Sequence, residues 1–121
     1  MKFKMFVTDV DDTLLNDNHE ITERNKEAIM DMQRQGVTFV LASGRPTEAI
    51  TNIAKELELD KYNGYIAGYN GGEILDVKSG EIISRDKLTR EELLGIYEET
   101  KDIDLKFITY KNKSILRSEE R

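Results

Sequence analysis

The sequence predicts an α/β fold: three parallel strands with flanking helices and a β-hairpin, followed by the start of a second, mixed α/β domain. Three observations carry this expectation. Strand-like runs at Phe3 to Val10, Val37 to Ala42 and Tyr65 to Tyr69 are separated by two helix-patterned segments, which makes two successive βαβ units. Val37 to Ala42 is nearly all apolar, as a parallel strand covered on both faces must be. Near Asp86 the βαβ order gives way to a capped helix and further strands, so the domains are expected at residues 1–85 and 86–121.

Phe3 to Val10 is rich in β-formers and runs straight into an acidic cluster, after which Asn16 to Asn18 supply turn residues. Thr22 is placed to cap a helix whose inward face uses Ala28, Ile29 and Met32. Gly36 stands where a left-handed residue ends that helix. Pro46 suits the first turn of a second helix, in which Ile50, Ile53, Ala54 and Leu57 recur at helical spacing. Glu73 to Val77 and Glu81 to Ser84 flank Lys78, Ser79 and Gly80 as an antiparallel hairpin. Thr89 with Glu92 forms a capping box ahead of Leu93, Ile96 and Tyr97, and Leu105 to Lys111 and Ser114 to Arg117 read as strands.

Composition narrows the function classes. With 121 residues the chain is about the size of one domain, or of a domain and a fragment. A charged fraction of 35% and a net charge of −6 give a surface that repels nucleic-acid phosphates and anionic membranes. Cysteine is absent, which excludes a disulfide framework, a thiolate metal site and a cysteine nucleophile. No apolar run approaches the length of a membrane span, and the N-terminus has no apolar signal core, so a cytoplasmic protein is expected.

Ligands of open parallel sheets bind beyond the carboxyl ends of the strands, where Asp9, Asp11 and Asp12 fall. In an extended chain Asp9 and Asp11 point to the same side. Two crowded carboxylates call for a cation or a shared proton, and magnesium suits carboxylate oxygens. The plainer reading is a solvated Asp-rich turn that ends a strand. A calcium loop also matches in part, with Asp9, Asp11, Thr13, Leu15, Asp17 and Glu20 in ligand positions. It fails at its sharp turn, where Leu14 stands in place of glycine. Ser43 ends the next parallel strand and can present a hydroxyl, while Arg45 to Thr47 open a helix whose backbone amides favour an anion. The two turns can converge on one phosphate.

Asp9-Val10-Asp11-Asp12-Thr13-Leu14-Leu15 resembles the first motif of the haloacid dehalogenase (HAD) superfamily, and Leu41-Ala42-Ser43-Gly44-Arg45 resembles its second. The spacing, the Asn70-Gly71-Gly72 turn and the hairpin beyond it resemble the Cof-like branch, whose members mostly hydrolyse sugar phosphates and related phosphoesters. Where the motif usually has glycine, this chain has Asp12. The resemblance implies a Rossmann-like HAD core and a magnesium-dependent phosphatase acting through an aspartyl phosphate. It assigns Asp9 as nucleophile and Asp11 as acid and base, both also contributing to the metal. Thr13 would orient Asp11, Ser43 with Gly44 would hold the phosphoryl group, and Arg45 and Asn70 would face the substrate entrance.

The family's third-motif lysine and fourth-motif acidic cluster are not found in these 121 residues. The resemblance therefore implies the N-terminal part of the core and an incomplete α/β cap, with the later core strands missing and activity weak or lost. Two other functions compete: a non-catalytic assembly module that keeps the acidic pocket, and a receiver-like phospho-accepting domain. The latter lacks an acceptor aspartate after the third strand, where Tyr69 and Asn70 stand. The expected partner is a small phosphorylated metabolite, with neither nucleic acid nor membrane. Copies are expected to associate through the open sheet edge or the incomplete cap.

Overall fold

The first strand, β1 (Met5–Asp9), forms from β-favouring residues and passes into a tight turn at Val10–Leu14. The computed structural model describes residues 2–111 and 114–117. The turn closes where the Leu15 N–H donates to the Val10 carbonyl at 3.0 Å. Val10, Leu14 and Leu15 are buried, so apolar side chains pin both ends of the turn while Asp12 and Thr13 stay exposed between them.

Helix α1 (Glu23–Arg34) begins as expected at Thr22, whose hydroxyl accepts from the Asn25 N–H at 3.2 Å. It ends ahead of Gly36, which adopts φ +88°. Its buried face is Ile29, Met30 and Gln33, with Met32 packed against the core and Ala28 exposed. The stripe is rotated from the expected one because Gln33 is drawn inward. Its Nε2 donates to the Leu57 carbonyl at 2.7 Å, satisfying an acceptor that the end of the next helix leaves unpaired.

Strand β2 (Thr38–Ala42) lies parallel to β1 and buries Phe39, Val40 and Leu41. Pro46 stands immediately before a 3₁₀ turn, Thr47–Ile50, which leads into the short helix α2 (Thr51–Glu56). Ile50, Ala54 and Leu57 are buried and Ile53 packs beside them, as their spacing predicts. Strand β3 (Tyr65–Gly68) is parallel to β2, and β4 (Glu73–Asp76) and β5 (Ile82–Arg85) complete the sheet as an antiparallel hairpin. The hairpin turn is held by Asp76, whose Oδ1 accepts from the Lys78 N–H at 3.0 Å, and by Gly80 at φ +73°.

The strand order is β1-β2-β3-β4-β5, which leaves β1 at the end of the sheet. Met5 and Val7 are exposed there, while the Phe6 ring stacks on Phe39 with centroids 5.5 Å apart. Val10, Leu41, Ile50, Leu57, Leu59 and Ile66 form the centre of the core.

Two compact units divide the chain, Met1–Asp86 and Lys87–Arg121. The second contains helix α3 (Arg90–Thr100) and the antiparallel pair β6 (Ile108–Lys111) and β7 (Ser114–Arg117). Helix α3 carries the complete capping box, with Thr89 Oγ1 accepting from the Glu92 N–H and Glu92 Oε2 accepting from the Thr89 N–H. Tyr97 meets Phe107 edge to face at 5.7 Å. Among the described residues no helix is long and apolar enough to cross a membrane.

Candidate functional site

Parallel register brings the ends of the first three strands level, since Asp9 pairs with Ala42 and Ala42 with Ala67. The residues that follow each strand therefore meet at one end of the sheet. The Ser43 N–H continues the ladder to the Ala67 carbonyl at 2.9 Å. The loop after β3 is laced back to the loop after β2. Asn70 N–H donates to the Ser43 carbonyl at 3.0 Å, and Tyr69 N–H donates to the Arg45 carbonyl at 2.9 Å.

Between these loops and β1 lies a cleft of about 350 Å³, lined by Asp9, Ala42, Ser43, Gly44, Ala67, Asn70 and Gly71. Small residues make the room. A Cβ at Gly44 would lie 2.9 Å from Asn70 Oδ1, so glycine leaves room for the Asn70 side chain in its present position. Ser43 is buried, and its Oγ accepts from the Arg45 N–H at 3.0 Å, which leaves the hydroxyl proton to be donated to a ligand.

Tyr69 (φ 52°), Asn70 (φ 56°) and Gly71 (φ 89°) occupy the left-handed region in succession. Non-glycine residues held there store conformational energy that surrounding contacts must offset. Here the two inter-loop hydrogen bonds do so, joined by the Tyr69 hydroxyl donating to Glu48 Oε2 at 3.1 Å. Sequence reading named Asn70 and missed Tyr69. The Asn-Gly-Gly signal announces a turn, but nothing local announces a left-handed tyrosine.

The two aspartates of the first motif part company. Asp9 lines the cleft, while the Asp11 carboxylate is gripped by the Arg45 guanidinium. Arg45 Nε donates to Asp11 Oδ2 at 2.8 Å, and a terminal nitrogen of the same guanidinium donates to Oδ1. The separation follows from the backbone. Val10, between the two aspartates, already belongs to the turn Val10–Leu14, so Asp9 and Asp11 are not alternate residues of one extended strand; Asp12 then turns left-handed at φ 59°. Aspartate tolerates that conformation better than most residues, which is how it stands where the motif usually has glycine. Thr13 is exposed and makes no hydrogen bond to Asp11; the side chain that reaches Asp11 is that of Arg45.

The donors suit a metal only in part. Asp9 offers a carboxylate at the cleft, the Asp11 carboxylate is committed to Arg45, and among the described residues no group of three or more His, Cys, Asp or Glu is placed to hold an ion. Such a set fits magnesium that keeps most of its shell as water and phosphate oxygen, and does not fit an ion caged by protein alone.

Comparison with known proteins places this geometry in a family. A model of the haloacid dehalogenase-like hydrolases matches residues 6–121. A Bacillus subtilis (strain 168) protein named "Putative phosphatase YxeH" is 33% identical over 96 residues, 79% of this chain and 36% of its own length. From the same organism, the 5-amino-6-(5-phospho-D-ribitylamino)uracil phosphatase YcsE is 34% identical over 73 residues, 60% of this chain and 28% of its own. The crystal structure of a haloacid dehalogenase-like hydrolase from Bacteroides thetaiotaomicron superposes with a TM-score of 0.81 at 40% identity, over 96% of this chain and 44% of that one. The chain thus spans about a third of the length of the curated relatives it matches. With the family model covering nearly every residue and the motif aspartate and serine meeting at the strand ends, the chain belongs to the haloacid dehalogenase-like hydrolases.

Proposed function

We propose that this chain carries the nucleophile half of a magnesium-dependent phosphatase acting on a small phosphorylated metabolite of the sugar-phosphate class. The observation that supports it best is the meeting of Asp9, Ser43 and Asn70 around one cleft at the carboxyl ends of parallel strands. The relative whose name specifies a phosphorylated ribityl compound supports the substrate class. The cytoplasm is the proposed location, as the compartment of small phosphorylated metabolites.

In this reading an Asp9 oxygen attacks phosphorus, the bond to the leaving oxygen breaks, and Asp11 gives that oxygen its proton. A water then loses a proton to Asp11 and attacks the aspartyl phosphate, releasing inorganic phosphate and restoring Asp9. Ser43 and the Gly44 backbone hold the phosphoryl oxygens, with Arg45 and Asn70 at the entrance. Magnesium, held by the Asp9 carboxylate and the Asp11 main chain, would supply neutralisation of phosphoryl charge. Residues 1–85 are assigned to the core and 86–121 to the beginning of its cap. Copies are proposed to associate through the edge of β1, where Met5 and Val7 are exposed.

The test is hydrolysis of p-nitrophenyl phosphate with magnesium by the 121-residue chain and by Asp9→Asn. Turnover that falls at least about a hundredfold in the variant supports catalysis here. Turnover equal in both removes Asp9 as nucleophile. A lack of turnover in both favours the non-catalytic module, which the commitment of Asp11 to Arg45 also suits.

A further inference from the structure

We propose that Arg45 is a positioning residue that holds the Asp11 carboxylate aside and exchanges it for the phosphoryl group of an incoming ligand. The inference rests on the phosphatase reading above. Both Asp11 oxygens accept from one guanidinium. For Asp11 to hand over a proton, the fork must let go.

The geometry shows what can move. The Arg45 backbone is tied on both sides, its N–H to Ser43 Oγ at 3.0 Å and its carbonyl to the Tyr69 N–H at 2.9 Å. Motion is left to the side chain, which springs from a backbone anchored to a cleft-lining hydroxyl. The paired side chains are 39% and 40% exposed, so the exchange disturbs no packed core. A guanidinium fork matches carboxylate and phosphate with the same planar pair of donors, and a phosphoryl group bearing two charges is the stronger partner. Phosphoryl binding would then both neutralise the ligand and release the Asp11 carboxylate, free to take up a proton from solvent and pass it to the leaving oxygen only when there is a group to act on.

Affinity for inorganic phosphate, measured by calorimetry on the full chain, tests this. Asp11→Asn weakens the competing partner and is expected to bind phosphate about fivefold tighter than the unsubstituted chain. Asp12→Asn removes the same charge from the neighbouring exposed position and controls for general repulsion; its gain is expected to be smaller. In an Arg45→Ala background the Asp11→Asn gain should vanish. Equal gains from Asp11→Asn and Asp12→Asn, or a gain that persists without Arg45, overturn the exchange while leaving a phosphate cleft standing. Failure of every variant to bind phosphate removes the phosphate reading of the cleft and the exchange with it. Should Arg45→Ala not fold, the Arg45 Nε–H resonance of the unsubstituted chain decides. It must shift on phosphate addition and not with chloride at the same ionic strength; a resonance that stays still overturns the proposal.

Discussion

The two units use similar residues to different ends. In Met1–Asp86, Val10, Leu41, Ile50, Leu57, Leu59 and Ile66 are withdrawn from water, and the strands they anchor bring Asp9 and Ser43 to one cleft. In Lys87–Arg121, helix α3 buries no residue, and Leu94, Ile96, Tyr97, Ile103 and Leu105 are exposed. The helix there is defined by local devices: its capping box and the Thr100 hydroxyl, which donates to the Ile96 carbonyl at 2.7 Å. A site needs side chains from distant segments held at fixed separations, and only burial of a common core supplies that. Local capping can define an element without positioning it against another.

The strongest way to break this contrast is truncation of one leucine in each unit. Leu41→Ala, at 0% exposure, is expected to lower unfolding stability by about 3 kcal/mol, whereas Leu94→Ala, at 49%, should change it by less than about 0.5 kcal/mol. Urea unfolding followed by circular dichroism measures both, and similar losses at the two positions would contradict the distinction. Thr89→Ala sharpens it at the next level. It removes the acceptor for the Glu92 N–H and should cost about 1 kcal/mol, expressed as faster amide exchange in α3 with little change in β1 to β3. Protection lost equally in both units would show that the cap serves more than its own helix.

The smallest effects belong to two surface ion pairs, one in each unit. Lys61 is raised above the ordinary lysine value of 10.5, first by its hydrogen bond to Glu58 and then by that carboxylate's charge, and Lys101 is raised in the same way by Glu98. A raised lysine contributes stability below its unfolded value and loses it as the pH climbs through the folded value, so both contributions fade on the alkaline side of 10.5. Glu58 is lowered from 4.5, chiefly by the hydrogen bond from Lys61, so its contribution is present above that value and is lost as the pH falls through the folded one. Both pairs are exposed and screened, so the unfolding midpoint at neutral pH should be the same for Lys61→Met and Lys101→Met as for the unsubstituted chain. A clear drop in either would place that pair in a network the structure does not show.

Features that depend on near neighbours were legible in the sequence. Thr22 and Thr89 act as caps, Gly36 takes positive φ, and Ile50, Ala54 and Leu57 face inward, because each answers to residues within about a turn of itself. The succession of β1, β2 and β3 was legible for a related reason, since apolar runs broken by helix-patterned segments admit few arrangements other than parallel strands. Asp9 and Ser43 were legible by position, at the ends of strands that the register then makes adjacent.

Only the tertiary structure decided the rest. Gln33 turned inward, at the expense of Ala28, because an unpaired carbonyl of Leu57 lay 24 residues away in sequence. Tyr69 accepted a left-handed backbone because Arg45 and Glu48 hold it from another loop. Asp11, which an extended chain would have aimed beside Asp9, instead met Arg45, 34 residues on, because the turn begins at Val10, between the two aspartates. Sequence alone thus determined the elements, the family and the end of the sheet where Asp9 and Ser43 meet. The partners of individual side chains came from long-range packing, because a hydrogen bond between distant segments depends on where the core puts them and not on what stands next to them in the chain.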